Sequence, residues 1–170
     1  MKNEKQKSAN NRRCRLHRFK FSGYTWVKVI KMEEVKGGIE EITRKIEKVL
    51  DSFQEIEFAY LFGSFLERGV FSDVDIALYV SKNFSPYEKM KFSLNIGRGL
   101  ERAIKPRCEF DIRILNHAPL AFQYEVIKTG KVVFSRDEAK RIRYEAHLLS
   151  TYLDYKGTSD WLDREFLAKV

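Results

Sequence analysis

The sequence predicts a small α/β domain, a sheet covered by helices, from three observations. Two short apolar runs with strand character, Phe58 to Phe62 and Asp73 to Val80, are separated by turns marked by Gly63 and Gly69. Segments with apolar residues at helical spacing precede and follow them. Pro86, Pro106, Pro119 and Gly130 punctuate the later junctions.

Taken in order, Ile39, Ile42, Ile46, Val49, Leu50 and Phe53 recur at helical spacing, so residues 33–53 read as an amphipathic helix. The first strand is Phe58 to Phe62. A Gly63-Ser64 turn leads to a short helical stretch, and Asp73 to Val80 is the second strand. Pro86 begins a helix that runs to about Ile104, where Pro106 stops it. Glu109 to Leu115 is the third strand. Pro119 opens a helix through Lys128, closed by Gly130 at a C′ position. Lys131 to Phe134 is a short edge strand, and a last helix covers residues 136–155, with residues 156–170 as a tail.

Length fits one ordinary domain: 170 residues, 44% hydrophobic and 14% aromatic, can bury a core. Cys14 and Cys108 are far apart and form neither a disulfide framework nor a metal-ligand spacing. His17, His117 and His147 are equally scattered, which argues against zinc. No apolar run approaches the roughly 18–20 residues of a membrane span, and no secretory segment opens the chain. The expectation is a cytoplasmic protein without membrane contact.

The net charge of +8 looks like a nucleic-acid signal until it is mapped. Residues 1–31 hold ten basic residues and one acid, leaving 22 basic against 23 acidic residues in the rest. The basicity is therefore an N-terminal extension, read as a disordered arm, and residues 32–155 are close to neutral. A continuous basic groove for nucleic acid is not expected; only the arm offers one.

Chemistry concentrates between Gly63 and Val80. Asp73 and Asp75 stand two apart on a strand, so both carboxylates leave the same face, while Val74, Ile76, Leu78 and Val80 point into a core. Crowded carboxylates repel, and a divalent cation with a taste for hard oxygen, Mg²⁺ or Mn²⁺, relieves that repulsion. The Gly63-Ser64 turn entering a helix offers backbone N–H groups and a positive helix end to phosphate. Phosphate cradle plus carboxylate pair reads as a nucleoside-triphosphate site.

With Gly63-Ser64, a spacer, then Asp73-Val74-Asp75 in a hydrophobic strand, the chain resembles the polymerase-β-like nucleotidyltransferases over roughly residues 35–155. The resemblance implies a small mixed sheet flanked by helices. It also implies a third acid from a neighbouring strand, for which Asp111 in Cys108-Glu-Phe-Asp-Ile-Arg-Ile-Leu115 is the candidate. The likeness is nearest to the minimal nucleotidyltransferases, antitoxin partners of HEPN ribonucleases. Eight residues, Phe65 to Ser72, separate Ser64 from Asp73, fewer than is usual in that group.

That resemblance implies a Mg²⁺-dependent transfer of AMP from ATP to a tyrosine of a HEPN toxin. Asp73, Asp75 and Asp111 would hold two metal ions, with Asp111 also taking the acceptor's proton. Gly63 and Ser64 would hold the terminal phosphates. Arg68 stands as a phosphate contact or a solvated residue, and Glu109 as a spare ligand or a solvent-facing one. Two alternatives remain: a non-catalytic antitoxin that binds its partner directly, and a transferase acting on a small hydroxyl compound.

The last helix offers a surface for the partner. Ile142, Ala146, Leu149 and Leu153 share one face, while Tyr144, Leu148 and Tyr155 share nearly the opposite one. A helix apolar on two sides is sandwiched or docks a partner.

Overall fold

The structure, a computed structural model, describes residues 17–20, 26–31, 38–67, 70–71, 73–105 and 108–167. Its centre is a four-stranded sheet in the order β6-β5-β3-β7. The strands are β3 (Ile56–Phe62), β5 (Asp73–Val80), β6 (Glu109–Ile114) and β7 (Lys131–Ser135). β3 pairs antiparallel with β5 and β7, whereas β5 and β6 run parallel, so the sheet is mixed as expected. The parallel pair needs a crossover, which α3 (Pro86–Ala103) supplies. That helix starts on a reciprocal cap: Ser85 Oγ accepts from the Glu88 N–H, and the Glu88 carboxylate accepts from the Ser85 N–H.

Strand alternation divides the core into two layers. On one face Ala59, Leu61, Val74, Ile76, Leu78 and Val80 pack with Ile42, Ile46 and Leu50 of α1 (Gly38–Asp51) and Ile96 and Leu100 of α3. The α1 spacing is the one read from the sequence. On the other face Phe58, Tyr60 and Ala77 pack with Val126 of α4 (Leu120–Thr129), and Phe62, Tyr79, Phe122 and Tyr144 lie against them. Tyr144 comes from α5 (Glu138–Leu167), which covers this face beside α4. Phe58 stacks on Tyr79 at 4.5 Å between ring centroids, and both rings meet Tyr144. Burial of such rings supplies about 2–3 kcal/mol apiece, which fixes α5 on the sheet.

Polar links close the frame. The Tyr60 hydroxyl donates to Glu145 at 2.5 Å, and burial together with that carboxylate pushes its pKa well above the usual phenol range. Arg141 bridges Glu138 and Glu145 from within the helix. Asn116 caps the end of β5: its side-chain amide accepts from the Val80 N–H and donates to the Val80 carbonyl, at 2.9 and 2.7 Å. Arg136 donates to the carbonyls of Asp51, Phe53 and Ile56, satisfying the end of α1 with a cation where the helix is most negative.

Three features differ from the sequence reading. Residues 17–31 were expected within a disordered arm, yet β1 (His17–Lys20) and β2 (Trp26–Lys31) pair as an antiparallel hairpin. β2 then pairs with the two-residue β4 (Val70–Phe71) to complete a small second sheet. The basic arm hid this because lysine and arginine alternate there with Val27, Val29 and other strand formers. Residues 1–16 and 21–25, and the Met32 position, lie outside the described residues.

α5 runs to Leu167, well beyond the expected end near Tyr155 and through most of the expected tail. Gly157 lies mid-helix with open space around it, so it does not break the helix. Gly130 is the third difference. It follows α4 in extended backbone, φ −77°, and not in a left-handed cap. Glycine is required there by close approach: a Cβ would fall 2.4 Å from the Val126 carbonyl oxygen and 2.9 Å from that of Leu61.

Candidate active site

The acids of the sequence motif converge where β5 and β6 run side by side. Asp75 lies opposite Asp111 and Asp73 opposite Glu109 in the parallel register. Alternation sends Asp73, Asp75, Asp111 and Arg113 to the face that carries α4 and α5, and Val74, Ile76, Phe110 and Ile112 to the other. On β5 this face is carboxylate at its first half and apolar at its second, Ala77 and Tyr79. The α4 and α5 rings cover the apolar half, and the half-buried acids stand at its rim.

Gly63 abuts this cluster. It ends β3 at φ +74°, a conformation side-chain-bearing residues rarely adopt. A Cβ at this position would lie 2.3 Å from Asp75 Oδ2, so glycine is needed for both backbone and space. Ser64 then begins α2 (Ser64–Glu67), a single turn pinned by Phe65 in the core, with the Leu66 N–H donating to the Gly63 carbonyl. One turn carries little macrodipole. Its offer to a phosphate is local N–H geometry, a narrower one than the sequence suggested. Arg68 and Gly69 lie outside the described residues.

Electrostatics mark Asp75 as the strained member. Its pKa is raised above the ordinary carboxylate value, first by desolvation, then by the charges of Asp73 and Asp111; Arg113 works in the opposite direction. Asp111 is half-exposed and engaged by that same Arg113, whose Nε and Nη2 both lie 3.0 Å from Oδ2. Arg113 was missed in the sequence, although its signal was available: two residues beyond Asp111, it had to share that face. Asp111 also lines a groove of about 670 Å³ between α3 and β6, with Met90, Leu94, Phe110 and Ile112 among its walls.

The donor set is all carboxylate, the chemistry that suits Mg²⁺ or Mn²⁺. Among the described residues no group of three or more such side chains stands assembled around an ion position. Asp111 is held by Arg113 instead. Neighbouring strands nonetheless bring three carboxylates, Asp73, Asp75 and Asp111, within one patch.

A mixed sheet with paired acids beside a glycine turn defines the class: a nucleotidyltransferase fold. The family described as "Polymerase beta, Nucleotidyltransferase" matches residues 44–139, more than half of the chain, and the protein belongs to that family. Similar solved structures include the toxin–antitoxin MntA-HepT, with 18% identity, a TM-score of 0.57, and coverage of 75% of this chain and 98% of that one. A complex of the tri-AMPylated Shewanella oneidensis HEPN toxin with MNT antitoxin matches at 18% identity and a TM-score of 0.58, over 75% and 98% of the two chains. A toxin–antitoxin structure with AMP-PNP matches at 19% identity and 0.58, over 74% and 98%. No curated protein sequence matches the chain.

Proposed function

We propose that this protein is an antitoxin that transfers AMP from ATP to a tyrosine of a HEPN-type ribonuclease and so silences it. The observation that carries the proposal is the placement of Asp75 opposite Asp111, with Asp73 on the same face and Gly63 against Asp75. Membership of the nucleotidyltransferase family supports the reaction class. The AMPylated HEPN toxin seen with a protein of like fold supports the acceptor.

In this reading Asp73, Asp75 and Asp111 would hold the divalent ions, Mg²⁺ in the cell. When bound, those ions supply positive charge to the phosphate oxygens and to the attacking oxygen. Gly63 lets the backbone come close to the phosphates, and Ser64 steadies them with its N–H and hydroxyl; Arg68, outside the described residues, is either a further phosphate contact or solvated. Asp111 receives the tyrosine proton as the phenolate oxygen attacks the α-phosphorus. The bond from that phosphorus to the bridging oxygen breaks, and pyrophosphate leaves.

Partner docking falls to α5. Tyr144 and Leu148 face the protein's own core, whereas Ile142, Leu149 and Leu153 are exposed at 52%, 44% and 58%. Of the two apolar faces of the sequence, one is open, and the other is covered at Tyr144 and Leu148 but exposed at Tyr155. The open stripe also suits the non-catalytic reading, in which the chain inhibits its partner by docking alone.

Intact mass spectrometry of the HEPN protein, after incubation with this chain, ATP and Mg²⁺, tests the proposal. One or more AMP adducts on a tyrosine are expected. Full protection from toxicity with no adduct would overturn the enzymatic reading in favour of docking.

A further inference from the structure

We infer that the β1–β2 hairpin is a binding site for single-stranded nucleic acid, carried beside the carboxylate patch. The family match begins at residue 44, so residues 17–31 stand outside what it covers. Their charge has one sign: Arg18, Lys20, Lys28 and Lys31 against no acid, whereas the chain after residue 31 holds 22 basic and 23 acidic residues. A strand face that needs only hydration mixes both signs. Cations gathered on a short ribbon repel one another, and a polyanion relieves that repulsion.

The register sorts these residues. Arg18 stands opposite Lys28 and Lys20 opposite Trp26, so alternation gives one face Arg18, Lys20, Trp26 and Lys28. The other face holds His17, Phe19, Val27 and Val29. Three cations around an indole match what a single strand offers, phosphates for the charges and a base for the aromatic ring. An acidic protein surface would call on the cations alone. The hairpin is also tethered next to the acids. Ile30 pairs with Phe71, and the two-residue step from Phe71 to Asp73 spans at most about 7 Å. Binding here does not depend on nucleotidyl transfer.

Fluorescence anisotropy of labelled RNA and DNA strands, titrated with the full chain from about 50 to 200 mM salt, tests this. Both strands are expected to bind. Arg18→Gln, Lys20→Gln and Lys28→Gln combined should weaken binding about tenfold or more. They should also flatten the slope of log affinity against log salt by about 2, the share of three phosphate contacts on a single strand. Lys2→Gln, Lys5→Gln and Lys7→Gln combined remove the same charge elsewhere and should cost about threefold or less. In Trp161→Phe, Trp26 is the sole tryptophan, and bound nucleic acid should quench its emission. Equal weakening by the two triple variants overturns the site, as does Trp26 emission that ignores bound RNA. Tighter binding of a duplex overturns the single-strand assignment. Loss of HEPN-partner binding in the hairpin variant, with nucleic-acid affinity unchanged, gives the ribbon to the protein partner and overturns the proposal.

Discussion

Asp75 and Asp111 face each other across the parallel β5–β6 pair, while a Cβ at Gly63 would touch Asp75 from the other side. The protein thus holds a partly desolvated carboxylate between a second acid and a backbone turn, an arrangement that works against its own stability.

The first prediction follows from the sign of that strain. Asp75 titrates above its unfolded value of 3.8 in the folded chain, so the folded state binds its proton more tightly. Stability from this group is present below pH 3.8 and is lost as pH rises through the raised folded value. In metal-free buffer at neutral pH, Asp75→Asn should therefore melt higher than the native protein, and the difference should shrink on acidification. Calorimetry of both proteins from pH 4 to 8, with chelator present, checks this. A lower melting temperature for Asp75→Asn would show that the carboxylate is stabilised by its surroundings.

Gly63→Ala is expected to cost about 1–2 kcal/mol from the left-handed backbone alone. The added methyl must also displace the Asp75 carboxylate. Denaturant unfolding measures the first effect, and Mn²⁺ affinity the second. Normal metal binding in a well-folded Gly63→Ala protein would separate Gly63 from the site.

Asp111→Ala should abolish adduct formation on the HEPN partner while leaving complex formation intact. Ser64→Ala should slow transfer less, by roughly ten- to a hundredfold, as expected for one hydrogen bond to a charged group. Adduct mass over time and analytical gel filtration give the two readouts. Equal losses in the two variants would refute the division of roles.

The α5 surface predicts a further contrast. Leu149→Glu, on the exposed stripe, should change stability by less than about 0.5 kcal/mol yet weaken binding to the HEPN partner. Leu148→Asp, at a residue only 4% exposed, should cost about 3 kcal/mol or more and unfold part of the helix pair. Circular dichroism and isothermal titration calorimetry distinguish the two. Unchanged affinity in Leu149→Glu would move the partner to another face.

Much of the architecture was legible because it depends on local rules. Alternation placed Asp73 and Asp75 on one face, helical spacing found α1, and the Ser85-Pro86 start of α3 is a local capping signal. The role of Gly130 was misread for a physical reason. Its position after a helix matches the sequence pattern of a left-handed cap, but what forbids a side chain there is the crowding of two carbonyls, that of Val126 at the helix end and that of Leu61, which is distant in sequence.

By itself the sequence determined which strand faces the candidate acids occupy, since side-chain direction along a strand is set by the backbone alone. Tertiary structure decided the pairings. Only the register of β5 on β6 puts Asp75 opposite Asp111, and only packing shows that Arg113 is bonded to Asp111 beside Phe122. Packing likewise separated the two apolar faces of α5, because a helix's own period cannot say which side meets the sheet: Phe58 and Tyr79 claim Tyr144, and Ile142, Leu149 and Leu153 are left to the solvent.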